Sequence, residues 1–195
     1  MSLTVYTGPM FSGKTTKLIE DIVRFSDIHK DNKTLIINHS QDTRDDRNLV
    51  SSHNTNYQGL SSKIKVLGAS YLSEIDIDEY TMIGIDEANL FPDLVSTIST
   101  WLKNDKHIVC SGLDGNFKME KFGKISDLLH MADKFVKLPS ICKMCLEETL
   151  RCGGTITPQT TVPAPFTKRL TDCESEIEIG GSDKYMAVCR RHHRD

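Results

Sequence analysis

The chain has 195 residues, enough for one ordinary hydrophobic core with a small satellite but too few for two full α/β domains, which excludes a two-lobed motor. Hydrophobic residues make up 38% and charged residues 26%, the balance of a globular protein and not of a disordered or collagen-like one. Lys and Arg number 24 against 27 Asp and Glu, a formal net charge of -3, so no basic excess exists to attract a polyphosphate backbone and no nucleic-acid partner is expected. No apolar stretch approaches the roughly 18 residues needed to cross a bilayer, and Lys14 and Lys17 interrupt the region where a signal peptide would be apolar. The expectation is a cytoplasmic protein with no membrane partner. Its six cysteines (Cys110, Cys142, Cys145, Cys152, Cys173 and Cys189) then read as thiols, some holding metal, and five of them follow Ser140.

In chain order, Leu3-Thr4-Val5-Tyr6 predicts a strand that stops at Gly8-Pro9. Leu18, Ile19, Ile22, Val23 and Phe25 recur at near-helical spacing, with Glu20, Asp21 and Arg24 on the other face, so a helix of about three turns should follow from Lys14. Thr34-Leu35-Ile36-Ile37 predicts a buried strand, and the charged run from Asp42 to Arg47 a loop at the sheet edge. Ile64-Lys65-Val66-Leu67 and Met82-Ile83-Gly84-Ile85 are further strands, the second flowing into Asp86-Glu87. Pro92 offers a first helical position before Leu94, Val95, Ile98 and Leu102, which share a face. His107-Ile108-Val109-Cys110, a short helix at Leu128-Leu129 and Phe135-Val136-Lys137-Leu138 complete the alternation. Strands alternating with helices imply an α/β fold, a parallel sheet covered on both faces. The alternation ends near Leu138-Pro139, which divides the chain into an α/β domain over 1–138 and a smaller cysteine-bearing domain over 139–195.

Gly8-Pro9-Met10-Phe11-Ser12-Gly13-Lys14-Thr15 fits G-x-x-x-x-G-K-[ST], between the strand and the helix that this motif requires. Backbone N–H groups in such a loop form a nest for phosphate oxygens, reinforced by the positive end of the following helix. Gly13 removes a Cβ from the approach of the phosphates, Lys14 brings a point charge to the β and γ groups, and the Thr15 hydroxyl can ligate Mg²⁺. A nucleotide site also needs an acid at the end of another core strand, and Asp86 has that setting. Side chains alternate along a strand, so Glu87 is expected to point away from Asp86 and toward an acceptor.

Cys142-x-x-Cys145 and Cys189-x-x-His192 are knuckles of the type that close a tetrahedral Zn²⁺ site, although the 43 residues from 146 to 188 make a long loop between them. His193 could replace His192, and Cys152 or Cys173 could take a place. With four protein ligands such an ion is structural, and it anchors both ends of the segment that includes Pro163 to Tyr185.

These features resemble the type II thymidine kinases, the cytosolic kind found in cells and large DNA viruses. The likeness is carried by the phosphate loop, Gly84-Ile85-Asp86-Glu87, Phe91-Pro92-Asp93, Leu113-Asp114-Gly115-Asn116-Phe117, Phe122-Gly123, Val136-Lys137-Leu138, Cys142-x-x-Cys145, Thr167-Lys168-Arg169-Leu170 and Gly180-Gly181-Ser182-Asp183-Lys184-Tyr185, in the family's order over nearly the entire chain. The resemblance implies ATP-dependent phosphorylation of the thymidine 5′-hydroxyl, with Mg²⁺ and a structural Zn²⁺, in a homotetramer. By that likeness Glu87 is the general base and Asp86 serves the Mg²⁺ site. Asp42, Thr43, Arg44 and Asn89 join the nucleotide site. Phe117 and Phe122 lie beside the nucleoside, Met10, Leu113, Thr167 and Tyr185 wall the thymine methyl group, and Glu176-Ile177-Glu178-Ile179-Gly180 corresponds to a lid, the lasso, that closes over the base.

The chain also departs from the family. Ala88-Asn89-Leu90-Phe91 stands where relatives commonly have Gly-Gln-Phe-Phe, so an aromatic wall is lost at Leu90, and His192 stands where many have a cysteine. The stretch from Glu147 to Pro165 is longer than expected. A rival reading is a nucleic-acid-stimulated ATPase, because Asp86-Glu87-Ala88 after a strand also resembles a helicase metal motif; length and charge speak against it.

Overall fold

Short β-branched runs and amphipathic segments order themselves along the chain as β1 (Ser2–Thr7), α1 (Lys14–Ile28), β2 (Lys33–His39), the antiparallel pair β3 (Ser51–Ser52) and β4 (Thr55–Asn56), β5 (Ile64–Ala69), β6 (Tyr80–Ile85), α2 (Leu94–Lys103), β7 (His107–Gly112), β8 (Lys134–Lys137), β9 (Ser140–Ile141), α3 (Lys143–Arg151), β10 (Pro163–Ala164), β11 (Phe166–Arg169), β12 (Tyr185–Val188) and α4 (Arg190–Arg194). This computed structural model describes residues 1–29, 32–41, 51–52, 55–56, 64–172 and 180–194. Six strands form one parallel sheet in the order β5-β2-β6-β7-β1-β8. Period-two alternation sends Leu35, Ile37, Ile83, Ile85 and Ile108 to one face, where they meet Leu94, Ile98 and Trp101 of α2 and its flanks. Ile36, Met82 and Val109 go to the other face, against Leu18, Ile19 and Ile22 of α1. With helices on both faces, all six strands can be apolar, as a parallel sheet demands.

Local details differ from the sequence pattern. Helix α1 runs 15 residues, longer than the expected three turns, and Asp21 is not left to solvent, because the Tyr6 hydroxyl donates to its carboxylate at 2.6 Å. Pro92 does not open α2: Phe91 stays extended before the proline (φ -81°, ψ 117°), and the helix begins at Leu94. The Asp93 carboxylate instead accepts from the Leu72 and Ser73 amides at 3.2 and 2.8 Å.

Beyond β8 the chain builds a small core of its own from Cys142, Cys145, Ala164, Ala187, Val188 and Cys189. β11 pairs with β12, Phe166 facing Val188 and Arg169 facing Tyr185, while β9 pairs with β10. The Leu138 amide donates to Thr7 O at the end of β1 (2.8 Å), and two bonds join this region to the loop that follows: the Ser140 hydroxyl to Phe11 O (3.1 Å) and the Met10 amide to the Thr167 hydroxyl (3.0 Å).

The turn holding Phe122 lies against the 3₁₀ turn Ala88–Leu90 at Gly123, whose φ is +63° and where an added Cβ would lie 2.0 Å from Asn89 O. Both the left-handed backbone and the close approach demand glycine. Gly123→Ala is expected to lower stability by about 2 kcal/mol or more, read from urea unfolding; an unchanged midpoint would show that the turn yields freely.

Candidate active site

The loop from Gly8 to Thr15 closes on itself. The Ser12 hydroxyl and the Lys14 ammonium both donate to Pro9 O, at 2.9 and 2.7 Å. Phe11 (φ 64°) and Gly13 (φ 77°) are left-handed, which turns amides of this stretch toward the start of α1. A Cβ at Gly13 would meet no atom of the chain, so the demand there is conformational as well as a matter of ligand approach.

At the second residue of α1, the Thr15 hydroxyl lies 3.2 and 3.0 Å from the two carboxylate oxygens of Asp86. Asp86 follows β6 and is fixed by its amide, which donates to Ile37 O at 2.9 Å. The Ser111 hydroxyl, from the intervening strand β7, donates to the same carboxylate. Burial pushes the Asp86 carboxyl up to about 6, the neighbouring Glu87 charge adds to this, and the Ser111 and Thr15 hydroxyls oppose it. A buried acid beside a helix-start threonine is an oxygen donor set suited to Mg²⁺.

Strand alternation does not reach Glu87. The strand ends at Ile85, and Glu87 takes a left-handed backbone (φ 48°, ψ 40°) that opens the next 3₁₀ turn. It is half-buried at the turn. Asn89 is 5% exposed; its Oδ1 accepts from the Leu113 amide at 2.8 Å, and its Nδ2 has no hydrogen-bond partner among the described residues.

Leu113 begins a loop whose turn is held by Asn116 Oδ1, which accepts from the Lys118 and Glu120 amides at 2.9 and 3.0 Å. That loop presents half-buried Phe117 and Phe122. The Arg169 guanidinium stacks over the Phe117 ring at 3.8 Å, lies 5.4 Å from the Tyr185 ring and donates to the Tyr185 hydroxyl at 3.0 Å. The fold thus brings Met10 to Thr167, Phe117 to Tyr185 through Arg169, and Asn89 to Leu113. Gly180 precedes β12, whereas Asp42, Thr43, Arg44, Glu176, Ile177, Glu178 and Ile179 lie outside the described residues. Ser111 and Arg169 were missed as site residues. A lone serine at a strand end carries no spacing signal, and Arg169 stood only inside a longer block.

At the far side, ligand atoms of Cys142, Cys145, Cys189 and His192 lie within 4.8 Å of one another. His192 Nδ1 sits 3.4, 3.4 and 3.6 Å from the three sulfurs, and Nε2 lies 3.0 Å from Glu148 Oε1. Burial pushes the Cys142 thiol up, yet the Cys189 and Cys145 amides and the His192 ring outweigh it and bring the thiol down to about 7. Three sulfurs and one imidazole fit a closed tetrahedral zinc site. Arg191 pairs with Glu148 and reaches Cys145 Sγ at 3.9 Å.

A parallel sheet, a phosphate loop at its first strand and an acid at the end of a central strand define a nucleotide-binding α/β protein of the phosphate-loop class. The thymidine kinase family model matches residues 1–193. The thymidine kinase of Fowlpox virus is 37% identical over 195 residues, covering 97% of this chain and 95% of its own length. The cytosolic thymidine kinase of Bos taurus is 36% identical over 191 residues, covering 96% and 70%; thymidine kinase 1 of Dictyostelium discoideum is 35% identical, covering 96% and 75%. The chain belongs to the thymidine kinase family, a family of ATP-dependent enzymes. Nothing in these likenesses supports the rival ATPase reading.

Because folding raises the Asp86 pKa above its unfolded value, the native state holds the extra proton between roughly pH 4 and 6, and stability falls as pH rises through that window. At pH 7.5 without ligands, Asp86→Asn is expected to raise the unfolding free energy read from urea denaturation by about 1–3 kcal/mol, with loss of activity. A less stable variant would contradict an uncompensated buried charge.

Proposed function

We propose that this chain transfers the γ-phosphoryl group of ATP to the 5′-hydroxyl of thymidine, with Glu87 as general base. The observation that carries the reading is the meeting of Thr15 with Asp86, which joins the phosphate loop to the acid strand one residue before Glu87. Lys14 and the loop amides hold the triphosphate, and the Thr15 hydroxyl and Asp86 carboxylate hold the metal. Mg²⁺, when bound there, neutralises charge on the phosphates. Glu87 accepts the proton of the 5′-hydroxyl as the bond from O5′ to the γ-phosphorus forms and the bond from that phosphorus to the β–γ bridging oxygen breaks, with ADP as the leaving group.

Residues 139–195 act in this reading as a lid, held by Zn²⁺ on Cys142, Cys145, Cys189 and His192. Phe117, Phe122, Leu113, Thr167, Met10 and Tyr185 surround the base, and the lasso residues Glu176 to Gly180 cover it. Asp42, Thr43, Arg44 and Asn89 complete the nucleotide site. A cytoplasmic location accords with the cytosolic name of the Bos taurus relative, and assembly as a homotetramer is part of the same proposal. Among the described residues no helix is long and apolar enough to cross a membrane.

The test is phosphoryl transfer from labelled ATP to each of the four natural deoxynucleosides, beside ATP hydrolysis with and without single-stranded DNA. Transfer to thymidine supports the proposal; turnover only with DNA overturns it. Glu87→Gln is expected to lower kcat by 10²- to 10⁴-fold with thymidine binding largely kept, and an unchanged rate removes Glu87 from the role. A methyl pocket supplies only about 1–3 kcal/mol, so deoxyuridine should be accepted with kcat/KM reduced roughly 10-fold or more; equal values would contradict the pocket.

A further inference from the structure

The five residues of α4 are too few to hold a helix by themselves, so its place is set by what flanks and anchors it. Two of the four clustered metal-ligating side chains, Cys189 and His192, sit at its start and within it. A second tie comes from Lys168 of β11, whose ammonium donates to His192 O at 3.0 Å. The next residue, His193, donates its amide to Cys189 O at 3.0 Å and turns its ring away from the sulfurs. His193 Nε2 lies 2.8 Å from the main-chain oxygen of Phe117, 76 residues earlier. A carbonyl only accepts, so Nε2 carries the proton and donates. The ring also packs edge-on against Phe166, with centroids 5.8 Å apart at 67°.

Phe117 is therefore gripped twice by the C-terminal region: at its backbone by His193 of α4, and on one ring face by the Arg169 guanidinium of β11. The turn beside it is held by Asn116, whose Oδ1 accepts from the Lys118 and Glu120 amides, and the start of the loop is tied at Leu113 by Asn89 and at Asp114 by Lys137. We infer that His193 is a positioning residue: it carries the placement of the metal-held helix α4 into the nucleoside pocket by fixing the Phe117 backbone. The inference rests on the reading that Phe117 borders the nucleoside. It gives the second of two adjacent histidines a task distinct from the first. His192 faces the sulfurs, and His193 faces the substrate loop.

The experiment uses the full chain with its metal. His193→Leu removes the donor, and His193→Gln restores an N–H at similar reach. In His193→Leu the metal content stays that of the parent protein, KM for thymidine rises about 3- to 10-fold, and kcat and the KM for ATP stay within about 2-fold. Hydrogen exchange of residues 113–122 quickens in the nucleoside-free protein, and His193→Gln returns both readouts toward the parent. Phe117→Ala separates the two claims. A thymidine KM unmoved by Phe117→Ala removes Phe117 from the pocket, and the inference falls with that reading. A KM raised by Phe117→Ala but unmoved by His193→Leu leaves the pocket standing and overturns the inference. Loss of metal from His193→Leu also overturns it, because the residue then serves the cluster itself. Should His193→Leu fail to fold, His193→Asn, whose shorter amide does not reach Phe117, makes the same comparison.

Discussion

A carboxylate buried at the meeting point of three elements is the constraint around which the nucleotide site is arranged. Asp86 is 8% exposed, and burying an ionised acid is costly unless hydrogen bonds or a cation compensate. Two hydroxyls supply part of that compensation, Thr15 from α1 and Ser111 from β7. Both can arrive only because β7 lies between β6 and β1 in the sheet, so that the strand carrying Asp86, the strand carrying Ser111 and the loop leading to Thr15 end along one edge. In open parallel sheets that carboxyl edge is where ligands bind. The upward shift that remains at Asp86 marks charge still seeking a partner, and a bound divalent cation reverses the sign of that local field.

The second constraint is the stapled C-terminal region. Its own apolar cluster is small, and a core of that size needs a metal, a disulfide or a larger neighbour to hold it. The four clustered donors are suited to hold the first, and contacts with the phosphate loop provide the third. The Thr167 hydroxyl accepts from the Met10 amide and the Ser140 hydroxyl donates to the Phe11 carbonyl, so two residues of the loop are tied to this region. In the proposed function the Met10 amide is thus not among those that hold phosphate. The same β11 that supplies Thr167 also supplies Arg169, which lets one short strand touch both the loop and the aromatic wall.

How much of this was legible in the sequence follows from the range of each signal. The six sheet strands and the phosphate loop are written in runs of four to eight neighbouring residues, and local patterns of that kind survive folding. The cysteine pairs were legible by spacing, but two adjacent histidines could not be told apart, since one residue of difference changes the face of a helix only when the helix itself has been placed. Ser111 acts on a carboxylate 25 residues away and Arg169 on a hydroxyl 16 residues away and on the still more distant Phe117 ring, and nothing in their surroundings marks those distances. Pro92 misled because a proline suited to a first helical position also forces the residue before it to stay extended, and here that second effect set the start of α2.

Glu87 shows why the direction of one side chain can escape a pattern that places the residue itself. Alternation along a strand predicts divergence from Asp86, yet the strand has ended, and the course of the chain at Glu87 is set by a left-handed backbone that costs a non-glycine residue about 1–2 kcal/mol. Such a conformation persists only where its surroundings over-determine it. On one side the Asp86 amide is bound to Ile37 O, and on the other the Leu90 amide donates back to Glu87 O at 2.9 Å. Ala88 and Phe91, 0% and 1% exposed, bury the turn that follows, and the Phe91 ring is met edge-on by His39 at 4.7 Å. Burial of the turn outweighs the strain at Glu87. The residue that follows the buried carboxylate is thereby placed by backbone conformation and not by strand alternation.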